Sequence, residues 1–311
     1  SAAVLPRKDA PRFARSAGIP LDEDGFFREW ESKTRPYSAL ETAVSICGLA
    51  HGPKPLRETV TQALAAAGNA VADVTAGKTV AADSVAEVSQ GSCISCLTCV
   101  RTCPYSVPRI GREGFPRDGR QGKAYIDVVR CQGCGTCVSE CPAGAIRLGK
   151  YEENGALRAI RSGHPGAVET ETSVKITVLN CSYCGNIPVE LAGTGRHQYP
   201  ADVNIITVPC TGLITVTSIL DALEEGASGV IVHACPEGTC HHISGNLRAR
   251  KRTGYVTALL EASGIDPGRV RYADLGIGHG RAFSELVTAY SDELKKKGEV
   301  KHGEHRPVGI S

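Results

Sequence analysis

Two short segments hold eight of the fourteen cysteines of this 311-residue chain. CISCLTCVRTCP begins at Cys93, and CQGCGTCVSECP begins at Cys131 with the same cysteine spacing. A repeat without gaps indicates a duplicated module. The pattern C-x2-C-x2-C-x3-C-P is typical of bacterial ferredoxins that hold two 4Fe-4S clusters, in which the fourth cysteine of each run binds the other run's cluster.

This spacing predicts which thiolates share a cluster. Three cysteines of one tight loop bind three irons of a cube, and a short helix carries the fourth cysteine to the second cube. Structural zinc uses two pairs of ligands, so it does not explain the third cysteine or the repeat. Disulfides are not expected, because nothing in the sequence indicates export from a reducing compartment. We assign cluster one to Cys93, Cys96, Cys99 and Cys141, and cluster two to Cys131, Cys134, Cys137 and Cys103.

Five further cysteines lie in the C-terminal stretch, and each group directly follows a predicted strand. In an open parallel sheet the carboxyl ends of the strands face one crevice, so these thiols are predicted to converge there. Four thiolates suffice for a 2Fe-2S cluster or for structural zinc, and a redox-active dithiol is a third interpretation. The nearby ferredoxin module favours the 2Fe-2S cluster, but the spacing does not identify the spare cysteine. The five are Cys181, Cys184, Cys210, Cys235 and Cys240.

Polar residues next to these cysteines allow two interpretations each. His241 and His242 follow Cys240 and are either metal-site residues or ordinary polar residues at a helix start. The group Arg248, Arg250, Lys251 and Arg252 predicts a solvated helix face, with partner docking as the alternative.

The elements that must position the C-terminal cysteines alternate along the chain. The strands VKITVLN, VNIITVP and GVIVHA, with a short fourth strand at 270–273, are separated by helical patterns at 213–225 and 246–262 and followed by one at 281–297. This alternation predicts a mostly parallel sheet with helices on its faces. Near the N-terminus, the turn HGPKP precedes a periodic helical pattern at 56–74.

The overall prediction is a multidomain α/β and α+β chain. The balance of 35 basic and 33 acidic side chains gives no argument for nucleic acid as a partner. No apolar run reaches the roughly 18 residues of a membrane span, and no signal peptide is recognisable, so a cytoplasmic location is predicted. The predicted domains are residues 1–83, a two-cluster ferredoxin at 84–151, a linker at 152–173 and an iron–sulfur domain at 174–311.

Two longer stretches resemble known families. Residues 19–148, with GIPLDEDGFF, CGLAHGPK, QALAAAGNA and both cysteine runs, resemble the C-terminal half of the A subunit of heterodisulfide reductase, which is a flavin and iron–sulfur protein of anaerobes. Residues 174–297, with CSYC, VPCTGLI, ALEEGASGVIV and CHHISGN, resemble the delta subunit of methyl-viologen-reducing hydrogenase. The order of the two modules is similar to that in the B subunit of the quinone-interacting membrane-bound oxidoreductase complex.

The first resemblance implies that residues 1–83 are the end of a thioredoxin reductase-like FAD domain. It implies flavin contacts near a helix start, where backbone N–H groups favour an electron-rich ring, at Gly48, His51, Gly52 and Pro53. Cys47, beside them, is interpreted as a small buried residue. The glycine-rich loop that binds dinucleotide phosphates does not occur in this chain. FAD is therefore expected to be shared with a partner or bound mainly by residues outside this chain, and the missing methionine at position 1 favours a longer polypeptide.

These observations predict an electron-transfer subunit. Electrons would pass between a 2Fe-2S site, two 4Fe-4S clusters and FAD, with other subunits of a heterodisulfide reductase-like, hydrogenase-linked or quinone-interacting complex as partners, and the family implies that the flavin can bifurcate electrons. No acid–base pair or nucleophile is recognisable, so substrate chemistry is not assigned to this chain. The alternatives are a structural adaptor whose C-terminal domain binds zinc or docks a partner, and a stand-alone ferredoxin without flavin.

Overall fold

A computed structural model describes residues 4–17, 19–29, 36–39, 44–76, 84–111, 122–149 and 174–297. The predicted linker at 152–173 and the residues after 297 lie outside these ranges. The contacts divide the chain into two compact units, Ser1–Ala82 with Asp127–Cys131, and Asp83–Ile126 with Gln132–Ser311. Most of the ferredoxin-like segment and the whole C-terminal segment therefore belong to one unit, and the predicted domain boundaries remain a prediction.

The described residues of the first unit include two α-helices and a small apolar core. Helix α1 spans Ala10–Ala17, and helix α2 spans Leu56–Ala76, which confirms the predicted helix and extends it beyond Val74. A single 3-10 turn, Gly48–Ala50, precedes α2. The core comprises Ile19, Ala39 and Ile46, with Phe27 and Val44 packed against them.

The described part of the ferredoxin-like segment contains two antiparallel strand pairs and two short helices. In chain order its elements are β1 Ala86–Val88, α3 Thr98–Thr102, β2 Arg109–Ile110, β3 Ala124–Tyr125, α4 Thr136–Ser139 and β4 Ile146–Leu148. β1 pairs with β4, and β2 pairs with β3, both antiparallel. α3 packs against α4, so the two cysteine runs lie side by side.

The C-terminal segment forms the predicted parallel sheet. Its elements are β5 Ile176–Cys181, α5 Asn186–Thr194, β6 Val203–Val208, α6 Val216–Glu224, β7 Gly229–His233, α7 Gly245–Ala262, β8 Val270–Ala273 and α8 Gly280–Lys297. The strand order is β6-β5-β7-β8, and all three pairings are parallel. All four predicted strands are confirmed. Helix α5 was not predicted, and Pro188 in its first turn is compatible with a helix because the first N–H groups have no intrahelical partner.

Helices cover both faces of the sheet. α5 and α8 pack over Ile176, Val178 and Ile231, while α6 and α7 pack over Leu179 and Val232. The chain places β6 on one side of β5 and then β7 on the other side, so the strand order reverses around β5. Such a reversal creates a crevice at the carboxyl ends of the central strands, where open α/β sheets build their sites. Among the described helices, none combines the length and apolarity that crossing a bilayer requires.

Candidate iron–sulfur sites

The four thiols assigned to cluster one line a single cavity. Cys93, Cys96, Cys99 and Cys141 share it with apolar residues such as Ile94 and Leu97, around about 330 Å³ of free space that includes open solvent. Burial raises the pKa of Cys99, and the neighbouring thiols add to the effect. The amide of Ala145 donates to Cys141 Sγ at 3.3 Å, as expected beside a thiolate that binds metal. The structure thus brings together the thiols that the repeat pairs across its two halves.

The second run occupies a buried loop. Cys134 and Cys137 are buried, and Cys103 directly follows α3, which packs against α4. Cys134 Sγ lies 3.6 Å from Thr136 Oγ1, which repeats the contact of Cys96 Sγ with Thr98 Oγ1 at 3.4 Å. Cys131 belongs to the segment grouped with the first unit, where its amide donates to the Asp127 carbonyl at 3.0 Å. Its membership of cluster two remains a prediction.

The five C-terminal thiols meet at the carboxyl end of the sheet. Cys181 ends β5, Cys210 follows β6, and Cys235 follows β7. Cys181 and Cys235 lie 3.7 Å apart between their Sγ atoms and pack with Cys184 and Cys240 in one cluster. Cys240 also contacts Cys210.

Hydrogen bonds at this site favour thiolate at some positions and thiol at others. Contacts with Cys210 and Cys235 lower the pKa of Cys240 to about 2, and the amides of His242 and Asn246 add to this effect. The contact with Cys240, followed by burial, raises the pKa of Cys210 well above its usual range. The amide of Tyr183 donates to Cys181 Sγ at 3.4 Å. The site therefore presents N–H donors to sulfur, which is what an anionic metal centre requires.

The donor set fits a metal centre. Buried thiolates are costly unless they coordinate metal, and the N-termini of α5 and α7, which begin beside the cysteines, add partial positive charge. The 3.7 Å between Cys181 and Cys235 matches the roughly 3.8 Å expected for two thiolates on one tetrahedral metal with bonds of about 2.3 Å. Within the described ranges, no three His, Cys, Asp or Glu side chains are grouped as ligands of a single ion.

The two histidines after Cys240 are buried, unlike solvated residues at a helix start, and α7 begins only at Gly245. His241 stacks on Tyr183 with ring centroids 3.5 Å apart. His242 Nδ1 lies 2.8 Å from the Tyr105 hydroxyl, and burial lowers the pKa of His242 to about 3, so this imidazole is neutral. Tyr105 follows the Cys-Pro end of the first run. The Tyr105–His242 contact therefore links the ferredoxin-like segment to the C-terminal site. The local sequence around either residue does not indicate this contact.

An ionic contact joins the same two segments. Glu140 pairs with Arg248 at 3.1 Å and with Arg252, whose guanidinium also donates to the carbonyls of Gly212 and Ile214 at 2.9 and 2.6 Å. The predicted solvated face is therefore wrong for these two arginines. The other two members of the basic group, Arg250 and Lys251, are exposed as predicted.

Glycines let the backbones of the two segments approach closely. A Cβ on Gly135 would lie 2.6 Å from Leu213 Cδ1, and a Cβ on Gly212 would lie 2.8 Å from Thr136 Oγ1. Ser139 Oγ donates to the Gly212 carbonyl at 2.7 Å. The loop around Thr136, which belongs to the second cysteine run, thus packs directly on the turn that follows Cys210.

The predicted flavin-contact residues lie in the turn before α2. The Gly48 amide donates to Gln62 Oε1 at 2.7 Å, and His51 lies between Glu29, at 2.8 Å, and Gln62, at 2.7 Å. Gly52 has open space where a Cβ would stand, and Pro53 follows it. These hydrogen bonds fix the turn, and the flavin assignment remains a prediction. The neighbouring Cys47 is half-buried.

Comparison with known proteins also separates a ferredoxin-like segment from a C-terminal segment. Residues 176–298 match the family described as methyl-viologen-reducing hydrogenase, delta subunit, and residues 92–145 match the 4Fe-4S dicluster domain. The chain is 30% identical over 295 residues to the A subunit of ferredoxin:CoB-CoM heterodisulfide reductase from Methanosarcina mazei, with 95% of this chain and 36% of that protein aligned. It is 35% identical over 131 residues to the iron-sulfur D subunit of F420-non-reducing hydrogenase from Archaeoglobus profundus, with 42% of this chain and 96% of that protein aligned.

The chain belongs, through its C-terminal part, to the family of hydrogenase delta (iron–sulfur) subunits, here joined to a dicluster ferredoxin segment and to a region similar to the A subunit of heterodisulfide reductase. The predicted resemblance to both families is confirmed. The chain spans 36% of the length of the heterodisulfide reductase subunits that it matches.

Proposed function

We propose that this chain is an iron–sulfur electron-transfer subunit of an anaerobic heterodisulfide reductase-like oxidoreductase complex. One observation carries the proposal: the part of the second cysteine run that follows Cys131, with Cys134, Cys137 and Cys141, lies in one compact unit with the five-cysteine site and meets it through a packed contact. Electron transfer requires two centres held at a fixed, short separation without intervening bulk water. The Glu140 ion pairs and the close approach of Gly135 to Leu213 supply that fixed geometry.

Three groups of residues would hold the cofactors. The two runs would bind one 4Fe-4S cluster each, with the fourth ligands exchanged, and the five-cysteine site would bind a 2Fe-2S cluster. When bound, these clusters supply one-electron oxidation and reduction. The chain's own contribution is to donate N–H groups to sulfur, to bury the thiols and to fix the modules relative to each other.

FAD is the fourth proposed cofactor, shared with a partner or bound mainly by residues outside this chain. Gly48, His51, Gly52 and Pro53 are its proposed contacts, supported by their position just before the N-terminus of α2. Titration of the chain with FAD, followed by flavin fluorescence, tests this in the presence of the partner subunits. Exchange of His51 for Ala is expected to weaken binding, and unchanged binding argues against a flavin contact there.

The proposed partners are other subunits of a heterodisulfide reductase-like, hydrogenase-linked or quinone-interacting complex, and the proposed location is the cytoplasm. The relatives' names support the first two partners, since they are subunits of a heterodisulfide reductase and of a hydrogenase. Flavin-based electron bifurcation would belong to that assembly, because it needs the flavin and two acceptors.

The test is an analysis of iron, zinc and acid-labile sulfide on anaerobically purified chain, with EPR after stepwise reduction. Two 4Fe-4S clusters and one 2Fe-2S cluster predict about ten irons and ten sulfides, with a separate two-iron signal. About eight irons with one zinc would instead make the C-terminal domain a structural adaptor and confine electron transfer to the ferredoxin-like segment.

A further inference from the structure

Topology separates one of the five C-terminal cysteines from the other four. Cys181 ends β5 and Cys184 follows it, while Cys235 and Cys240 follow β7. These two strands are neighbours on either side of the point where the strand order reverses, so their loops border the same crevice. Cys210 follows β6, which lies on the far side of β5. The loops after β5 and β7 therefore supply four thiols to this crevice without Cys210.

Packing separates Cys210 in the same way. The other four thiols pack as one cluster, and Cys235 contacts Cys181, Cys184 and Cys240. Cys210 reaches this cluster through Cys240. A Cβ on Gly245 would overlap the Cys210 Sγ, so the backbone at the start of α7 closes one side of this sulfur. This packing leaves the sulfur little room for an iron on that side.

The opposite side of Cys210 faces the ferredoxin-like segment. Gly212 is close to both residues: its amide donates to Cys210 Sγ at 3.4 Å, and a Cβ on it would be 2.8 Å from Thr136 Oγ1. Thr136 Oγ1 in turn lies 3.6 Å from Cys134 Sγ. Cys210 and Cys134 are close enough for their charges to interact. Gly212 and Thr136 thus connect the surroundings of the two sulfurs.

We propose that Cys210 is the cysteine that does not bind metal, and that it bridges the four-thiol site and the second ferredoxin loop. This inference rests on the proposed function, because it requires a centre at each end. The line Cys240, Cys210, Gly212, Thr136 and Cys134 is the packed medium through which one electron leaves one centre and reduces the other. No bond forms or breaks at the Cys210 sulfur in this step.

The experiment uses the full chain with Cys210→Ala, and Cys181→Ala as the matched control from the four-thiol cluster. The Cys210→Ala protein is expected to keep the iron and sulfide content and the two-iron EPR signal of the unmodified chain. The control is expected to lose about two irons and that signal. Loss of two irons from the Cys210→Ala protein, or a changed two-iron signal, would show that Cys210 is a ligand and overturn the proposal.

A second measurement tests the bridge itself. After flash photoreduction, samples frozen at successive times report by EPR how fast the electron redistributes between the two-iron and four-iron signals. Cys210→Ala is expected to slow this step several-fold, and Cys210→Ser, which keeps the packing volume, is expected to restore most of the rate. An unchanged rate in Cys210→Ala would overturn the bridging role. A missing two-iron signal in the unmodified chain is a different failure, that of the proposed function.

Discussion

The two copies of the cysteine repeat have the same spacing, but their second cysteines and the residues beside them differ in exposure. In the first copy Cys96 is exposed, and Leu97 is 38% exposed. In the second copy Cys134 is buried, and Thr136 is 1% exposed. Leu97 and Gly135 are equivalent positions, and both have left-handed backbone, with φ of 64° and 73°. Glycine occupies this position only in the second copy, where a side chain on residue 135 would overlap Leu213.

This difference shows how a duplicated module acquires two roles. In the first loop, Leu97 has a partly exposed side chain. In the second loop, the equivalent residue is Gly135, and Leu213 of the C-terminal segment packs against it. Reduction potentials of iron–sulfur centres depend on solvent exposure and on hydrogen bonds to sulfur. The two proposed 4Fe-4S clusters are therefore expected to differ in potential although their ligand spacing is the same.

The largest expected effect comes from making the second copy like the first. In Gly135→Leu the new side chain overlaps Leu213, and the backbone of the new leucine must keep the left-handed conformation of Gly135. We expect a loss of about 3–5 kcal/mol in the free energy of unfolding, from roughly 1–2 for the backbone and the rest for overpacking. Anaerobic urea unfolding measures it.

The reverse exchange, Leu97→Gly, is the matched control. Glycine adopts the left-handed backbone conformation of residue 97 without strain, and the position is exposed. A change below about 1 kcal/mol in the free energy of unfolding is therefore expected. Equal losses in the two variants would mean that the copies are not distinguished by the contact with Leu213.

The next effect concerns the ion pairs that hold the second copy. Glu140→Gln removes the carboxylate shared by Arg248 and Arg252, and Arg252 has a side chain only 13% exposed. We expect a loss of about 1–3 kcal/mol in the free energy of unfolding, because a half-buried cation loses its partner.

Glu237→Gln serves as the control, since Glu237 pairs with Arg250 at an exposed position. An exposed ion pair contributes about 0–1 kcal/mol, so little change is expected. A similar loss from both variants would show that the Glu140 contact behaves as an ordinary surface pair.

After removal of iron, the two copies are expected to differ in how easily an alkylating reagent reaches their cysteines. During incubation with a chelator and an alkylating reagent, the exposed Cys96 is expected to be labelled several-fold faster than the buried Cys134. Peptide mass spectrometry at successive times follows both sites. Simultaneous labelling would mean that loss of one cluster opens the whole unit.

The smallest effect concerns the hydroxyls next to sulfur. Thr136→Val removes the hydroxyl whose Oγ1 lies 3.6 Å from Cys134 Sγ. An iron-bound thiolate carries no proton, so in the proposed cluster this hydroxyl would donate to sulfur and favour the more negative reduced state, and its loss is expected to lower the potential. A net hydrogen bond of about 0.5–1.4 kcal/mol corresponds to roughly 20–60 mV for one electron. An EPR-monitored redox titration measures the shift.

Thr98→Val makes the equivalent change in the first copy, beside Cys96. Water can replace the lost hydroxyl at this exposed position, so a smaller shift is expected. A larger shift in the first copy would contradict the assignment of the second copy as the drier site.

Much of this arrangement could be predicted from local patterns. The four strands are short apolar runs with β-branched residues, and the cysteines follow their ends, so convergence at one edge follows from the parallel sheet. The contacts between segments could not be predicted in this way. Glu140 and Arg248 are 108 residues apart, and the group that a charged side chain meets at that separation depends on the whole fold. Helix α5 was missed because Pro188 interrupts its pattern.

The pairing of β1 with β4 has a consequence for how such chains arise. Ala86 stands opposite Leu148, so the backbone leaves the ferredoxin-like segment beside the point where it entered. A module whose ends meet can be inserted between two other sequences without changing the distance between them. The geometry of one two-stranded ribbon thus makes this segment easy to splice into larger polypeptides by gene fusion.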